Sequence, residues 1–218
     1  MVTLYYRPGS CALAPHILLE WIGAPYEAIN APRDASYRAI NASGAVPALK
    51  LADGQVITQA GAVLQHLAQS AGRGDLLGGP EPANQARVLQ WSCFFTGDFH
   101  PAFFPLFVPG RYTTDPSVAA QAAVKAAAVE LVKGHLATLD AHLSERTTFV
   151  GEQLTLVDAY AVPMLRWVGR VIEGASPPGL PWIASTPAWS RIPACRRPWP
   201  CTASSPSAPR GRPGCGSA

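Results

Sequence analysis

The stretch V-T-L-Y-Y-R-P-G-S-C-A-L-A-P-H, residues 2–16, decides how this chain begins to fold. It runs from a short β-rich segment through a Pro-Gly turn directly into a helical pattern, with Ser10 and Cys11 at the junction. The first N–H groups of a helix are unpaired and carry the positive end of its dipole, and both features favour a thiolate over a thiol. We therefore expect Cys11 to be reactive, with a pKa below that of a free cysteine. The alternative is that Cys11 packs as a small buried hydrophobe, the commonest environment of a lone cysteine.

Strand and helix patterns alternate outward from this stretch over the first 71 residues. Gly23 is a natural stop for the first helix. Asp53-Gly54 predicts a β-hairpin with a type I′ turn, because that turn needs positive φ at both central residues. The predicted strands are 2–6, 26–29, 48–51 and 55–57, and the predicted helices are 11–22 and 60–69. This order predicts a parallel strand pair extended by an antiparallel hairpin.

A helical pattern fills the chain beyond a Gly/Pro-rich linker at 72–82. The predicted helices are 83–95, 118–143 and 155–172, with a Phe/Pro-rich break at 100–109 after the first. Thr155 and Asp158 form a capping box at the start of the last helix, with Asp in the place usual for Glu. The pattern predicts an all-helical domain over 83–182.

The composition excludes several classes of protein. The 218 residues include no apolar run long enough to span a bilayer, and the N-terminus lacks the pattern of a signal peptide. Five cysteines without a C-x-x-C pair indicate neither a disulfide framework nor a metal site, which favours a reducing cytoplasm. Up to Glu173 the chain holds all 14 acidic and 12 of the 17 basic residues, so electrostatics do not favour nucleic acid.

The tail at 183–218 is rich in Pro, Ser, Arg and Cys, and the chain has no Asp, Glu or Lys after Glu173. Such a segment buries too little apolar surface to offset its chain entropy. Its composition is explained by disorder or by a frameshifted reading frame in GC-rich DNA, and both hypotheses stay open.

Several motifs together resemble the glutathione S-transferases, and most closely the bacterial beta class. They are the Y-Y-x-P-G-S-C-x-L-x-P-H-I run at 5–17, A-V-P-A-L at 45–49, T-Q-A-G-A-V at 58–63, D-F-H with P-L-F at 98–107, the capping box and L-R-W at 165–167. The resemblance covers roughly residues 1–182. It implies a thioredoxin-like domain at 1–71, a linker at 72–82, an all-α domain at 83–182 and a homodimer.

The resemblance also implies that glutathione binds between the two domains as co-substrate. Cys11 would face the glutathione sulfur and either donate a hydrogen bond to the thiolate or form a mixed disulfide. Ser10 would donate its hydroxyl instead, or serve only as a helix cap. His100 would polarise the thiol or substrate, although Pro101 follows it where the family usually has Lys. A lone His near a Phe-rich break is more often packed in a core.

The remaining site residues implied by the resemblance bind the glutathione backbone. Val46, before the family's cis proline at Pro47, would pair with the cysteinyl part. Gln59 and Ala60 would hold the γ-glutamyl group at a helix N-terminus, but Gln59 replaces an acid and Ala60 lacks a serine hydroxyl. Asp98 either reaches glutathione across the dimer or is a solvated acid.

Three further residues carry interpretations. Arg33 is the candidate substitute for a glutathione-binding Lys that has no counterpart here, and we expect Cys93 and Trp167 to pack in the core.

The sequence and the resemblance are compatible with three functions. The first is a transferase that conjugates glutathione to small hydrophobic electrophiles. The second is a glutathione-dependent reductase or dehalogenase that acts through a mixed disulfide at Cys11. The third is a non-catalytic member of the fold that binds ligands or partners.

Overall fold

A computed structural model describes residues 1–172, and the tail at 183–218 and the end of the predicted helical domain lie outside the described residues. A four-stranded sheet forms the first half. Its strands are β1 (Val2–Tyr6), β2 (Tyr26–Asn30), β3 (Ala48–Lys50) and β4 (Val56–Thr58), in the order β2-β1-β3-β4. β1 pairs with β2 in parallel and with β3 antiparallel, and β3 pairs antiparallel with β4. The predicted parallel pair and hairpin are confirmed.

The hairpin turn differs from the predicted type I′. Gly54 has a positive φ of 89°, but Asp53 does not. The Gly54 N–H donates to the Leu51 carbonyl at 3.0 Å, and the Leu51 N–H donates to the Gln55 carbonyl at 2.8 Å. The loop therefore has three residues, and one glycine supplies the left-handed conformation that closes it.

Three helices pack with this sheet: α1 (Leu13–Ile22), α2 (Ala35–Arg38) and α3 (Ala60–Ser70). α1 starts two residues later than predicted, because residues 10–12 form a separate turn in which the Leu13 N–H donates to the Ser10 carbonyl at 3.3 Å. α1 ends at Gly23 as predicted, with φ at 73° and its N–H bonded to the Leu19 carbonyl at 2.9 Å. α2 lies in a segment for which the sequence indicated no regular structure.

The second half is helical, as predicted. Its elements are α4 (Pro82–Cys93), a π-helical segment (Phe94–Phe99), α5 (His100–Ala102), α6 (Phe104–Phe107), a 3-10 turn (Pro109–Arg111), α7 (Val118–Leu143) and α8 (Leu156–Val171). The predicted bounds of α7 are confirmed. The helix predicted to end at residue 95 instead continues through a π-helical turn, a rare form that is frequent at functional sites. No helix within residues 1–172 is both long and apolar enough to cross a membrane.

α8 is the central helix of the core, since each of its residues 156–165 is buried. Its predicted capping box is present. Asp158 is fully buried and accepts hydrogen bonds from the Thr155 N–H at 2.7 Å, the Thr155 hydroxyl at 2.9 Å and the Phe149 N–H at 3.1 Å. One carboxylate thus joins the start of α8 to the loop that precedes it.

We predict that Asp158→Asn lowers the free energy of unfolding by about 1–3 kcal/mol, because an amide N–H would replace one of two acceptor oxygens and face buried donors. Burial raises the pKa of Asp158 to about 6, so denaturant unfolding is measured well above that pH, where the carboxylate is ionised. Asp140→Asn, at an exposed position of α7, is the matched control and should be nearly neutral. Equal effects of the two variants would contradict the prediction.

Candidate functional site

A cleft of about 790 Å³ lies where the loops of the sheet half meet the helical half. One wall is made by residues 7–11, 45–47 and 58–60. The other wall is made by Thr96, His100, Phe104, Phe107, Tyr160 and Trp167. Of the residues predicted to form a site, the structure brings all but one to this cleft.

Cys11 lies in the cleft but is not an exposed thiolate. Its side chain is only 5% exposed, and its Sγ donates a hydrogen bond to the Val46 carbonyl at 3.5 Å. Burial raises the pKa of the Cys11 thiol to about 12, and a backbone hydrogen bond lowers it by less. The predicted low pKa is therefore wrong: α1 begins two residues beyond Cys11, and loss of solvent outweighs the helix start.

Ser10 uses its hydroxyl within the turn. Its Oγ donates to the Arg7 carbonyl at 2.7 Å and accepts from the Ala12 N–H at 3.3 Å. The hydroxyl proton is thus bonded to a carbonyl of the turn. Ser10 is not the cap of α1 either, because the N-cap is Ala12 and no side chain caps the helix.

The Val46–Pro47 peptide bond is cis, as the family resemblance implies. Two side chains hold the preceding residue, since the Tyr37 hydroxyl and the Asn41 amide donate to the Ala45 carbonyl at 2.6 and 2.8 Å. The Val46 carbonyl and amide are thereby fixed beside Cys11, on the cleft wall.

Arg7 joins the loops around the cleft by hydrogen bonds that no local sequence pattern indicates. Its guanidinium donates to the carbonyls of Ala31, Pro32 and Gly44 at 3.1, 2.9 and 2.8 Å, and it lies over the Tyr37 ring at 5.1 Å. One side chain with five N–H donors thus satisfies carbonyls from two loops.

Gln59 caps α3 in an unusual backbone conformation, with φ at 72° and ψ at 122°. It is the only non-glycine residue with positive φ among residues 1–172. Such a conformation costs on the order of 1–3 kcal/mol and is found mostly at functional sites. Gln59 is exposed on the cleft, and Ala60 follows as the first, buried residue of α3.

His100 opens α5 and forms a polar pair with Tyr160 of α8. The His100 Nδ1 and the Tyr160 hydroxyl are 3.1 Å apart. Burial lowers the pKa of His100 to about 4, so the imidazole is neutral at neutral pH. Burial, and to a smaller extent the nearby Cys11, raise the pKa of Tyr160. Sequence reasoning missed Tyr160, because its position in α8 reads as core.

The comparisons with known proteins agree with this geometry. Family models described as the N-terminal and C-terminal domains of glutathione S-transferase match residues 9–70 and 95–185. A glutathione S-transferase of Xanthomonas campestris pv. campestris is 34% identical over 175 residues, which are 77% of this chain and 82% of that protein. The chain belongs to the glutathione S-transferase family.

Solved structures of this family resemble the fold closely. A bacterial beta-class glutathione S-transferase of Sphingomonas chungbukensis is 30% identical, with a TM-score of 0.75 over 89% of this chain and 97% of that one. A sphingomonad glutathione S-transferase complexed with glutathione is 33% identical, with a TM-score of 0.69 over 89% of this chain and 95% of that one. The resemblance to the beta class, and the predicted two-part fold, are confirmed.

The other residues singled out from the sequence of this glutathione S-transferase have different outcomes in the structure. Arg33 lines the cleft, whereas Asp98 is exposed and is not among the lining residues. Trp167 is only 6% exposed, so the prediction of a core position is confirmed, and its Nε1 donates to the Gly9 carbonyl at 2.8 Å. Cys93 is exposed, so its predicted packing is wrong.

Within residues 1–172, no cluster of three His, Cys, Asp or Glu side chains has the arrangement of a metal site.

We predict that iodoacetamide modifies Cys11 of the native protein much more slowly than Cys93 at neutral pH. Cys11 is buried and has a raised pKa, whereas Cys93 is exposed. Because the thiolate form of Cys11 appears only at high pH, its rate should keep rising with pH well above neutral pH. Mass spectrometry of each cysteine peptide against time measures both rates, and the denatured protein is the control. A Cys11 rate that levels off below neutral pH would contradict the burial argument.

Proposed function

We propose that this glutathione S-transferase binds glutathione in the cleft and transfers its thiolate to small hydrophobic electrophiles. The observation that carries the proposal is the placement of Cys11, with its Sγ 3.5 Å from the Val46 carbonyl, on the same cleft wall as the start of α3. One wall therefore offers a peptide-binding edge, a helix N-terminus and a thiol. The sphingomonad relative complexed with glutathione supports the choice of ligand.

Each part of glutathione has a counterpart on this wall. The first N–H groups of α3 are unpaired by helix geometry and suit the γ-glutamyl carboxylate. The side-chain carbonyl of Gln59 suits the ligand's ammonium group, and the Val46 backbone suits the cysteinyl N–H and C=O. Arg33 adds a cation for the glycyl carboxylate.

The thiol of Cys11 acts in this proposal as a neutral hydrogen-bond donor. With a pKa raised to about 12, it keeps its proton when glutathione loses one to solvent. Its S–H then turns from the Val46 carbonyl to the glutathione sulfur, and the imidazole of His100 faces the same sulfur. A mixed-disulfide reductase instead needs Cys11 as thiolate, so its burial favours conjugation.

The electrophile lies against the aromatic wall of the cleft. Phe104 and Phe107 are 39% and 47% exposed, and the rings of Phe107 and Trp167 are 5.1 Å apart. Exposed aromatic side chains at a cleft suit a flat apolar substrate. The glutathione sulfur forms a bond to the electrophilic carbon, and a displaced halide, or a proton taken up by the opened group, balances the reaction.

The proposal includes a cytoplasmic homodimer with a role in detoxification. Asp98 is exposed at the end of the π-helical segment, which suits its reaching the glutathione of a partner subunit. Light scattering of the full chain tests the dimer, and Asp98→Asn tests the contact through glutathione affinity.

We predict that Cys11→Ser keeps most of the activity with an aryl chloride, whereas Cys11→Ala lowers kcat by about tenfold. Serine retains a donor at the sulfur and alanine retains none, and one lost charge-assisted bond is worth about 1.5 kcal/mol. Steady-state kinetics and calorimetry with glutathione measure both variants. Equal abolition of turnover by both substitutions would favour the mixed-disulfide reaction, and glutathione binding without turnover of any electrophile would favour a binding protein.

We also predict that Gln59→Glu strengthens glutathione binding by about 1 kcal/mol, since a carboxylate restores a charged partner for the ligand's ammonium group. Gln65→Glu makes the same charge change on α3 at a position outside the cleft lining, and it should leave binding unchanged. Calorimetry at low salt measures both. Equal effects of the two variants would show that long-range charge, rather than contact with the γ-glutamyl group, governs the affinity.

A further inference from the structure

The contact between His100 and Tyr160 fixes where the imidazole proton lies. Tyr160 is only 1% exposed, and His100 Nδ1 is its one hydrogen-bond partner among residues 1–172, at 3.1 Å. The buried phenol keeps its proton, since burial raises its pKa, and the imidazole is neutral and carries a single proton. The phenol and the imidazole thus have one proton each, and only one of these protons can lie between the Tyr160 oxygen and His100 Nδ1.

Only one arrangement satisfies both groups. If Nδ1 carried the imidazole proton, it would donate to the Tyr160 oxygen, and the buried phenol O–H would have no acceptor within the described residues. If Nε2 carries the proton, the phenol donates to the Nδ1 lone pair and no buried proton is left unpaired. The second arrangement is favoured, because an unpaired buried donor loses its full hydration without compensation.

The His100 ring has little freedom to turn away from this contact. Its centroid lies 4.9 Å from that of Phe104 and 5.1 Å from that of Trp167. Tyr160 is itself held among aromatic rings, with Phe95 at 5.6 Å. Rotating the imidazole would break both ring contacts. His100 lines the cleft, and its Nε2 is not among the buried polar atoms that lack a partner within residues 1–172.

We propose that Tyr160 is a positioning residue that holds His100 in the Nε2–H tautomer, so that a neutral N–H donates to the glutathione sulfur. This inference rests on the proposed function. Tyr160 does not touch the reacting atoms and acts through His100. The thiol proton of glutathione leaves to solvent, and neither His100 nor Tyr160 gains or loses a proton during the reaction.

The tautomer itself is tested without any ligand. Nitrogen-15 NMR of histidine-labelled full-length protein distinguishes a protonated Nε2 from a protonated Nδ1 by the chemical shifts of the two ring nitrogens, and His100→Gln identifies the signals. We expect the Nε2–H pattern for His100 in the wild-type protein and a mixture of both patterns in Tyr160→Phe. A wild-type Nδ1–H pattern, or an unchanged tautomer in Tyr160→Phe, overturns the inference.

Kinetics test whether the Nε2–H tautomer of His100 stabilises the glutathione thiolate. Tyr160→Phe should raise the apparent pKa of bound glutathione, read from thiolate absorbance against pH. It should also lower kcat on the order of tenfold, because the charge-assisted hydrogen bond from His100 to the thiolate is weakened, with KM for glutathione little changed. In a His100→Gln protein the side-chain amide always carries N–H donors, so it has no tautomer for Tyr160 to select. Adding Tyr160→Phe to that protein should therefore not change kcat or the thiol pKa further. An equal further loss there would mean that Tyr160 only supports packing, and the inference fails.

These outcomes separate the inference from the proposed function. A wild-type protein that shows the Nε2–H tautomer but binds no glutathione contradicts the proposed function alone. A protein that binds and conjugates glutathione with unchanged thiol pKa in Tyr160→Phe contradicts the positioning role alone.

Discussion

The hydrogen bond from the Trp167 indole to the Gly9 carbonyl joins the two halves of this molecule at the cleft, and the site depends on it. Gly9 belongs to the turn that presents Ser10 and Cys11. The same indole ring lies 5.1 Å from His100, so one side chain sets the distance between the thiol-bearing turn and the helical wall. A buried indole N–H requires an acceptor, and this requirement positions two elements that lie 158 residues apart.

Burial raises the pKa of Cys11, which is the opposite of the shift that the local sequence predicts. The Pro-Gly-Ser-Cys turn before a helix indicates a stabilised thiolate, and the turn and helix both form. The thiol nevertheless faces the Val46 carbonyl and lies close to Tyr160, which are distant in sequence. A helix dipole contributes about 0.3–1 kcal/mol at an exposed end, whereas desolvation of a buried charge costs several kcal/mol. Desolvation is the larger effect, and it depends on tertiary packing, which no local motif indicates.

The predictable part of the fold follows from short-range rules. The helix stop at Gly23, the capping box of Thr155 and Asp158, and the bounds of α7 are each encoded within a few residues of where they act. The β1–β2 pair and the β3–β4 hairpin needed only the rule that hairpins are antiparallel and βαβ units parallel. The antiparallel β1–β3 pairing that joins them does not follow from that rule. The role of Arg7 and the contact between Tyr160 and His100 depend on residues 24 to 60 positions away, so sequence periodicity cannot indicate them.

The groups that face the proposed position of the glutathione sulfur are neutral. Cys11 keeps its proton because its pKa is raised to about 12, and His100 stays uncharged because its pKa is lowered to about 4. A buried imidazolium would attract a thiolate more strongly, but it would also require its own hydration to be replaced before any ligand arrives. Neutral S–H and N–H dipoles avoid that cost, and the only reorganisation that the thiolate requires is rotation of the Cys11 S–H away from the Val46 carbonyl. The burial that makes Cys11 a poor nucleophile is thus consistent with a site that stabilises another molecule's thiolate.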